Sequence, residues 1–288
     1  MRFILSGIGN WYSGWKLMEE AVPEAERLGF YGFVMPDHYM WGPGAGGDST
    51  VDTWIALSFL ASRTERIRLG TLVTPISFRP PGMLAKMVAT LDVLSHGRTI
   101  LGVGAGWSQT EFEGYGEWYE PRVRVERAKE GLSLILKLWL EDKVNFHGKY
   151  YQAKNAVLEP KPVQKPYPPL LFGGFSRRML RMAGEYGDIC FVCPWIEKVS
   201  YQEAKDIVLK AARRHSRQDK IRFAQGGDAT VPIADHYDSK TYTTKVEEAQ
   251  QNGNEYFVVP FPRETYLASM RDFAKNVMPS FNAPTLLA

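Results

Sequence analysis

The sequence predicts an α/β chain folded as a (β/α)8 TIM barrel with inserted segments, and three observations carry that prediction. Eight short apolar runs read as buried strands: RFILSGIG, YGFVMPDH, IRLGTLVTP, RTILGVGAG, LLFGG, DICFVC, IRFAQGGD and EYFVVPF. Helical patterns separate them, and strand–helix alternation of this kind favours a parallel sheet. Each run then passes into Gly, Pro, Asp, His or Thr, and in an eightfold barrel the active site is built from those strand ends.

The elements follow in order. After RFILSGI comes WKLMEEAVPEAERLG, in which Leu17, Val22, Ala25 and Leu28 keep a near-helical period and Gly29 supplies a stop. Pro23 lies inside this segment and predicts a break or kink. YGFVMPDH, TWIALSFLASRT, RIRLGTLVT, GMLAKMVATLDVLSHG, RTILGVGAG and RVERAKEGLSLILKLWLE continue the rhythm, without the strict repeat of a solenoid. The rhythm breaks after Leu140, where a hairpin turning at His147-Gly148 and a proline-rich approach predict a rim insertion around 141–169. SRRMLRMAGEYG, KVSYQEAKDIVLKAARRHS and RETYLASMRDFAKNVM read as later helices; between 228 and 250 a polar loop with Pro232, Asp235, His236 and Asp238 leads to a short one.

Composition narrows the class. The 288 residues, 44% hydrophobic and 23% charged, suffice for one large core, and we read 1–288 as a single barrel domain, although the length alone also accommodates two. A formal charge of +3, from 35 basic and 32 acidic residues, gives no net drive toward nucleic acid or membrane. No apolar run approaches the roughly 20 residues of a membrane span, and Met1 leads directly into a strand, so a cytoplasmic protein is expected. Cys190 and Cys193 form C-F-V-C in a strand, where that spacing turns the side chains to opposite faces and predicts buried structural thiols. The scattered His96, His147, His215 and His236 lack ligand spacing, and no metal site is expected.

The strand ends carry the candidate chemistry. Asp37 and His38 close the second strand, and a histidine there can exchange a proton near neutral pH; a loop-capping Asp37 beside a half-buried His38 is the competing reading. Around Leu72, Val73 and Thr74 the third strand can bulge to make a shelf for a flat ring, or simply stop at Pro75. Gly102, Gly104 and Gly106 recur on one face of the fourth strand, opening either a channel for a ligand or tight packing against a helix. They do not make a dinucleotide fingerprint, because the G-x-G-x-x-G spacing is absent. Gly173, Gly174, Phe175, Ser176 and Arg177 occupy a strand-to-helix passage suited to phosphate, with Arg178 a second guanidinium candidate; a plain Ser176 N-cap with solvated arginines is the alternative. Of the eight tryptophans, Trp41 and Trp107 follow site motifs closely enough to wall a pocket.

In sequence, these motifs resemble a known superfamily. GFYGFVMPDHY at 29–39, IRLGTLVTP at 67–75, RTILGVGAGW at 98–107 with Glu111-Phe112 and Tyr115-Gly116 after it, KPVQKPYPPLLFGG at 161–174 and LRMAGEYGD at 180–188 are similar to the bacterial luciferase-like superfamily. More narrowly, they resemble its coenzyme F420 (deazaflavin)-dependent oxidoreductase branch, and the closing EYFVVPFPRETYLASMRDFAKNVMP is in keeping. The resemblance implies a barrel that binds a deazaflavin, usually as a homodimer, and transfers a hydride between the cofactor and a small organic substrate. It implies that Asp37 and His38 sit beside the ring, with His38 and Trp41 as catalytic candidates. Leu72-Val73 would be a bulge, often a non-prolyl cis peptide, that backs the ring; Thr74, Gly104, Gly106 and Trp107 would line the cofactor. Gly173, Gly174, Phe175, Ser176 and Arg177 would hold its phosphate. Members that oxidise a sugar phosphate carry glutamate where this chain has Trp107, which argues against that activity. An FMN-dependent monooxygenase is the nearest alternative, followed by a non-catalytic flavin-binding protein; a cofactor-free hydrolase would need carboxylates beyond Asp37, Asp188 and Asp228.

Overall fold

A computed structural model of the protein describes residues 1–7, 12–40, 50–174, 176–192, 199–228 and 233–281. The chain runs β1 (Arg2–Ser6), α1 (Tyr12–Leu28), β2 (Gly32–Met35), α2 (Thr53–Ala61), β3 (Arg68–Thr71), β4 (Thr74–Pro75), α3 (Pro81–Leu94), β5 (Thr99–Gly104), α4 (Gln109–Tyr115) and α5 (Pro121–Leu140). It continues with β6 (Val144–His147), β7 (Gln152–Ala156), β8 (Leu170–Gly173), α6 (Arg177–Tyr186), β9 (Ile189–Phe191), α7 (Tyr201–Arg214), β10 (Arg222–Gly226), α8 (Ser239–Gln251), β11 (Tyr256–Val259) and α9 (Tyr266–Asn276).

Parallel pairing runs β3-β2-β1-β11-β10-β9-β8-β5, and β5 returns to both β3 and β4, so the sheet closes into an eight-stave barrel with β3 and β4 sharing one stave. Alternation along each strand then sorts the side chains. Ile4, Val34, Ile100, Leu171, Ile189, Ala224, Tyr256 and Val258 fill the interior, while Phe3, Leu5, Phe33, Leu69, Leu101 and Phe172 pack outward against the helices. Register is broken once on the third stave. Gly70 pairs with Ile100 and Thr74 with Val103, so three residues (71–73) oppose two (101–102) in a one-residue bulge. The Leu72–Val73 peptide within it is cis.

The helix starts have local causes. Asp52, Ser176, Ser200 and Asp238 accept the amides of Ile55, Met179, Glu203 and Thr241, satisfying donors that each first turn leaves open, and Pro81 and Pro121 occupy first-turn positions that need no N–H. Of the break or kink expected at Pro23, the break does not occur: α1 runs through it, with Met18, Ala21, Val22 and Ala25 all buried. That packing outweighs the roughly 3 kcal/mol a helix-interior proline costs. The rim insertion contains the antiparallel hairpin β6–β7, and the weakly signalled helix near 250 is the 13-residue α8. Cys190 is buried and its thiol is pushed up to about 12 by desolvation; Cys193 lies outside the described residues.

Candidate active site

The C-terminal ends of the strands surround a cavity of about 700 Å³. Its floor exists because several inward positions at that end are small: Ser6 on β1, Gly104 on β5 and Gly173 on β8, where an outward-sloping ring of larger residues would otherwise fill the barrel. Val34, Leu72, Val73 and Phe191 complete an apolar base. The glycines there make room for the bulge rather than for a helix. A Cβ on Gly104 would stand 2.5 Å from Val73 Cγ2, and one on Gly173 would stand 3.0 Å from Val73 Cγ1 and 3.2 Å from Leu72 Cδ1. Gly106 also lines the cavity, at φ +79°, and a side chain there would strike the Phe112 ring. Gly102 serves the barrel wall instead, since a Cβ would collide with the Thr71 carbonyl.

His38 stands at the rim, 8% exposed, with Nδ1 2.8 Å from Glu111 Oε2. Glu111 is 1% exposed, and its other oxygen accepts the amides of Tyr39 and Met40. A carboxylate already accepting two amides is an acceptor for the ring as well, so the proton of that contact sits on Nδ1. Trp107, 59% exposed, meets the His38 ring edge-on with centroids 5.7 Å apart. Pro36, Pro75, Met179, Asp228, Arg122, Arg124 and Arg178 add to the wall; the Arg122 guanidinium pairs with Glu126 and that of Arg124 donates to the Tyr119 carbonyl and lies over the Trp118 ring.

Two expected cofactor contacts do not line the cavity. Asp37 does not line the cavity: it is 1% exposed, grips Arg79 through both oxygens (2.7 and 3.1 Å), and also accepts from Trp54 Nε1 at 3.1 Å and Thr74 Oγ1 at 2.8 Å. Thr74 is fully buried in the same knot and does not line the cavity either. Burial pushes the Asp37 carboxyl upward against the pull of Arg79, while burial of Arg79 is outweighed by Asp37 and Asp52, which hold its guanidinium above its ordinary range. The knot locks the start of the His38 loop to the start of α2 and the segment after β4. Arg177 is corrected too: it pairs with Glu203 on the surface, and the helical turn of α6 delivers Arg178 to the cavity in its place.

Ser176 caps α6 through the Met179 amide and also lines the cavity. Gly174 lies beside it. Trp41 and Phe175 lie outside the described residues. Asp188 sits at the far end of its strand, bonded to the Leu170 amide and Arg217. The partner that sequence reasoning missed is Glu111, 73 residues from His38 and borne on a seven-residue helix whose pattern is too short to register.

Comparison with known proteins follows this geometry. The family model described as luciferase-like monooxygenase matches residues 5–238. An F420-dependent glucose-6-phosphate dehydrogenase of Amycolatopsis mediterranei (strain U-32) is 37% identical over 225 residues, 77% of this chain and 65% of that protein. Another of the same name, from Microbacterium testaceum (strain StLB037), is 36% identical over 166 residues, 57% of this chain and 48% of that protein. The matched region thus spans about half to just under two thirds of these curated relatives' length. An F420-dependent secondary alcohol dehydrogenase, solved in complex with an F420-acetone adduct, superposes with a TM-score of 0.80 over 98% of this chain and 99% of its own, at 20% identity, a likeness of fold.

Proposed function

Because the chain belongs to the luciferase-like monooxygenase family, we propose that it is a coenzyme F420-dependent oxidoreductase that transfers a hydride between a deazaflavin and a small alcohol, carbonyl or activated alkene. The observation that carries this reading is the His38–Glu111 pair, 2.8 Å apart at the rim of an apolar cavity whose base is a shelf of Val73 over Gly104 and Gly173. The names of the curated relatives support the same cofactor.

The residues present fit such a group. The shelf is free of side chains on β5 and β8, as a planar ring requires, and Gly174, Ser176 and Arg178 gather at the start of α6, as a phosphate-bearing tail requires. Leu72, Val73, Gly104, Gly106 and Gly173 would hold the ring. When bound, the deazaflavin supplies the ring carbon that takes or gives the hydride. His38 Nε2 takes the hydroxyl proton as an alcohol is oxidised and returns it as a carbonyl is reduced. Glu111 fixes the ring's tautomer through Nδ1 and balances the charge on a protonated His38. Trp107 walls the substrate side and occupies the position where sugar-phosphate-oxidising members carry glutamate, so a small substrate without a phosphate is the one proposed.

The same reading includes a cytoplasmic homodimer. Among the described residues no helix is long and apolar enough to cross a membrane, and α2 and α3 expose Ile55, Met83 and Leu94 at 71%, 57% and 61%.

Separate titrations with deazaflavin and FMN, followed by ring fluorescence, test the cofactor. Saturable deazaflavin binding is expected; tight FMN binding without a deazaflavin response would replace this reading with the FMN-dependent monooxygenase. His38→Ala should leave deazaflavin affinity within a few-fold and lower turnover by about 10²- to 10⁴-fold. Full turnover of the folded, cofactor-bound variant at every pH would remove His38 from the chemistry.

A further inference from the structure

The wall of the cavity at the strand ends is chemically uneven. Val73 over Gly104 and Gly173 makes the shelf, and Gly174, Ser176 and Arg178 stand together at the start of α6. The wall around His38 is different. It is formed by Met35 and Pro36, which precede His38 in the chain, and by Trp107, Pro121 and Val125, which run from the segment after β5 to the first turns of α5. Trp107 joins the two segments, because its ring stands edge-on to the His38 imidazole with centroids 5.7 Å apart.

The charges in this part of the wall are spent elsewhere. Arg122 pairs with Glu126 at 2.8 Å, and Glu126 also accepts the Tyr150 hydroxyl at 2.7 Å, so the pair is tied to the rim insertion. Arg124 donates to the Tyr119 carbonyl at 2.7 Å and lies 3.8 Å from the centre of the Trp118 ring. Asp228 lies across the barrel. It follows β10, three staves from both β2 and β5 (β2-β1-β11-β10 and β5-β8-β9-β10), and a carboxylate there repels an anion. Among the described residues, His38 is thus the polar side chain that this part of the wall offers to a substrate.

Trp107 remains 59% exposed although it touches His38. A flat apolar body laid on its ring takes that surface out of water, which is favourable in proportion to the area covered. A carboxylate or phosphate brought beside Trp107, Pro121 and Val125 would exchange its hydration for surroundings without an uncommitted cation, which is strongly unfavourable. Attraction for an apolar body and rejection of a charged one then arise from the same side chains.

We propose that Trp107 determines specificity, and that the substrate is an uncharged, flat and largely apolar carbonyl compound or the corresponding alcohol, with its oxygen at His38 and its body on the Trp107 ring. This rests on the hydride-transfer reading above and narrows its substrate from a small organic molecule to one whose polarity is confined to the reacting centre.

Calorimetric titration of the deazaflavin-loaded chain, with the deazaflavin oxidised so that a ketone binds without being reduced, tests this. The ligands are acetophenone and 4-acetylbenzoate, which adds a carboxylate to the same body. Acetophenone should bind at one site with a dissociation constant below about 1 mM, and 4-acetylbenzoate at least tenfold more weakly. Trp107→Ala should weaken acetophenone by about tenfold, while Trp107→Phe, which keeps an aromatic face, should stay within about threefold. Deazaflavin affinity, read beforehand by ring fluorescence, separates the two levels of the reading. A chain that takes up no deazaflavin sinks the hydride transfer and this inference with it. If deazaflavin binds, the substrate class alone is overturned by any one of these results: no saturable acetophenone binding, equal or tighter binding of 4-acetylbenzoate, or undiminished acetophenone affinity in Trp107→Ala. An equal loss of deazaflavin and acetophenone affinity in Trp107→Ala would assign the ring to the cofactor and overturn it as well.

Discussion

The two ends of the barrel are made from the same strands and treated in opposite ways. At the N-terminal end, Arg2 donates to the Tyr256 hydroxyl at 2.9 Å and lies over the Tyr31 and Tyr256 rings, and Arg68 also lies over Tyr31. Close by, Arg98 donates to the carbonyls of Ala61, Thr64, Ile67 and Ser95 and to Thr64 Oγ1, and Glu26 Oε2 accepts the amides of Glu65, Arg66 and Ile67. That end is plugged and its polar groups are spent on one another. At the C-terminal end the same inward positions hold Ser6, Gly104 and Gly173, leaving space, and the polar groups converge on the opening. Packing that satisfies everything locally confers stability; a site has to leave volume and valence over.

The comparison can be broken most severely at Arg79, which lies near the functional end but belongs to the structural economy. Arg79→Met strands the buried Asp37 carboxyl and should cost about 3–5 kcal/mol in denaturant unfolding, far more than a residue lining the cavity would. A loss under 1 kcal/mol would show that the knot around Asp37 is dispensable. Arg98→Met leaves several loop carbonyls without a donor and should cost about 3 kcal/mol while deazaflavin affinity of the folded fraction stays within twofold. A selective loss of affinity there would erase the division between the ends.

Gly104→Ala sharpens the contrast from the other side. The new Cβ forces Val73 into the shelf, so deazaflavin affinity should fall about tenfold, near 1.4 kcal/mol, with a smaller change in melting temperature. The smallest effect is expected at Glu26. Burial alone would raise its carboxyl, but the three amides outweigh that and hold it below its ordinary value. A depressed carboxyl contributes its stability above the unfolded value of about 4.3 and loses it as pH falls through the folded one. Glu26→Gln should therefore cost about 1 kcal/mol near neutral pH, and the gap from wild type should close as pH is lowered through and below 4; a gap that widens would reverse the assignment.

The eight strands and most helices were legible because their signal is local: an apolar run, a cap, a glycine stop. His38, Leu72, Val73, Gly104, Gly106, Trp107, Gly173, Gly174 and Ser176 were also recognisable as strand-end residues, and all line the cavity. Asp37, Thr74 and Arg177 have the same address along the chain but face elsewhere. Strand alternation becomes unreliable at the point where the chain leaves the sheet, and one step of helical rotation separates Arg177 from Arg178. At Pro23 the helix does not break, since the packing of α1 on the barrel carries it through the proline.

The succession of strands and helices, the placement of glycine at the strand ends and the family likeness are properties of the sequence by itself, because each is read from short local motifs and their order along the chain. The pairing of His38 with Glu111 and the enclosure of Asp37 by Arg79, Trp54 and Thr74 belong to the tertiary structure. They join residues from 17 to 73 positions apart, and only closure of the barrel, with β5 returning to the third stave, fixes which of many possible polar partners come within hydrogen-bond reach.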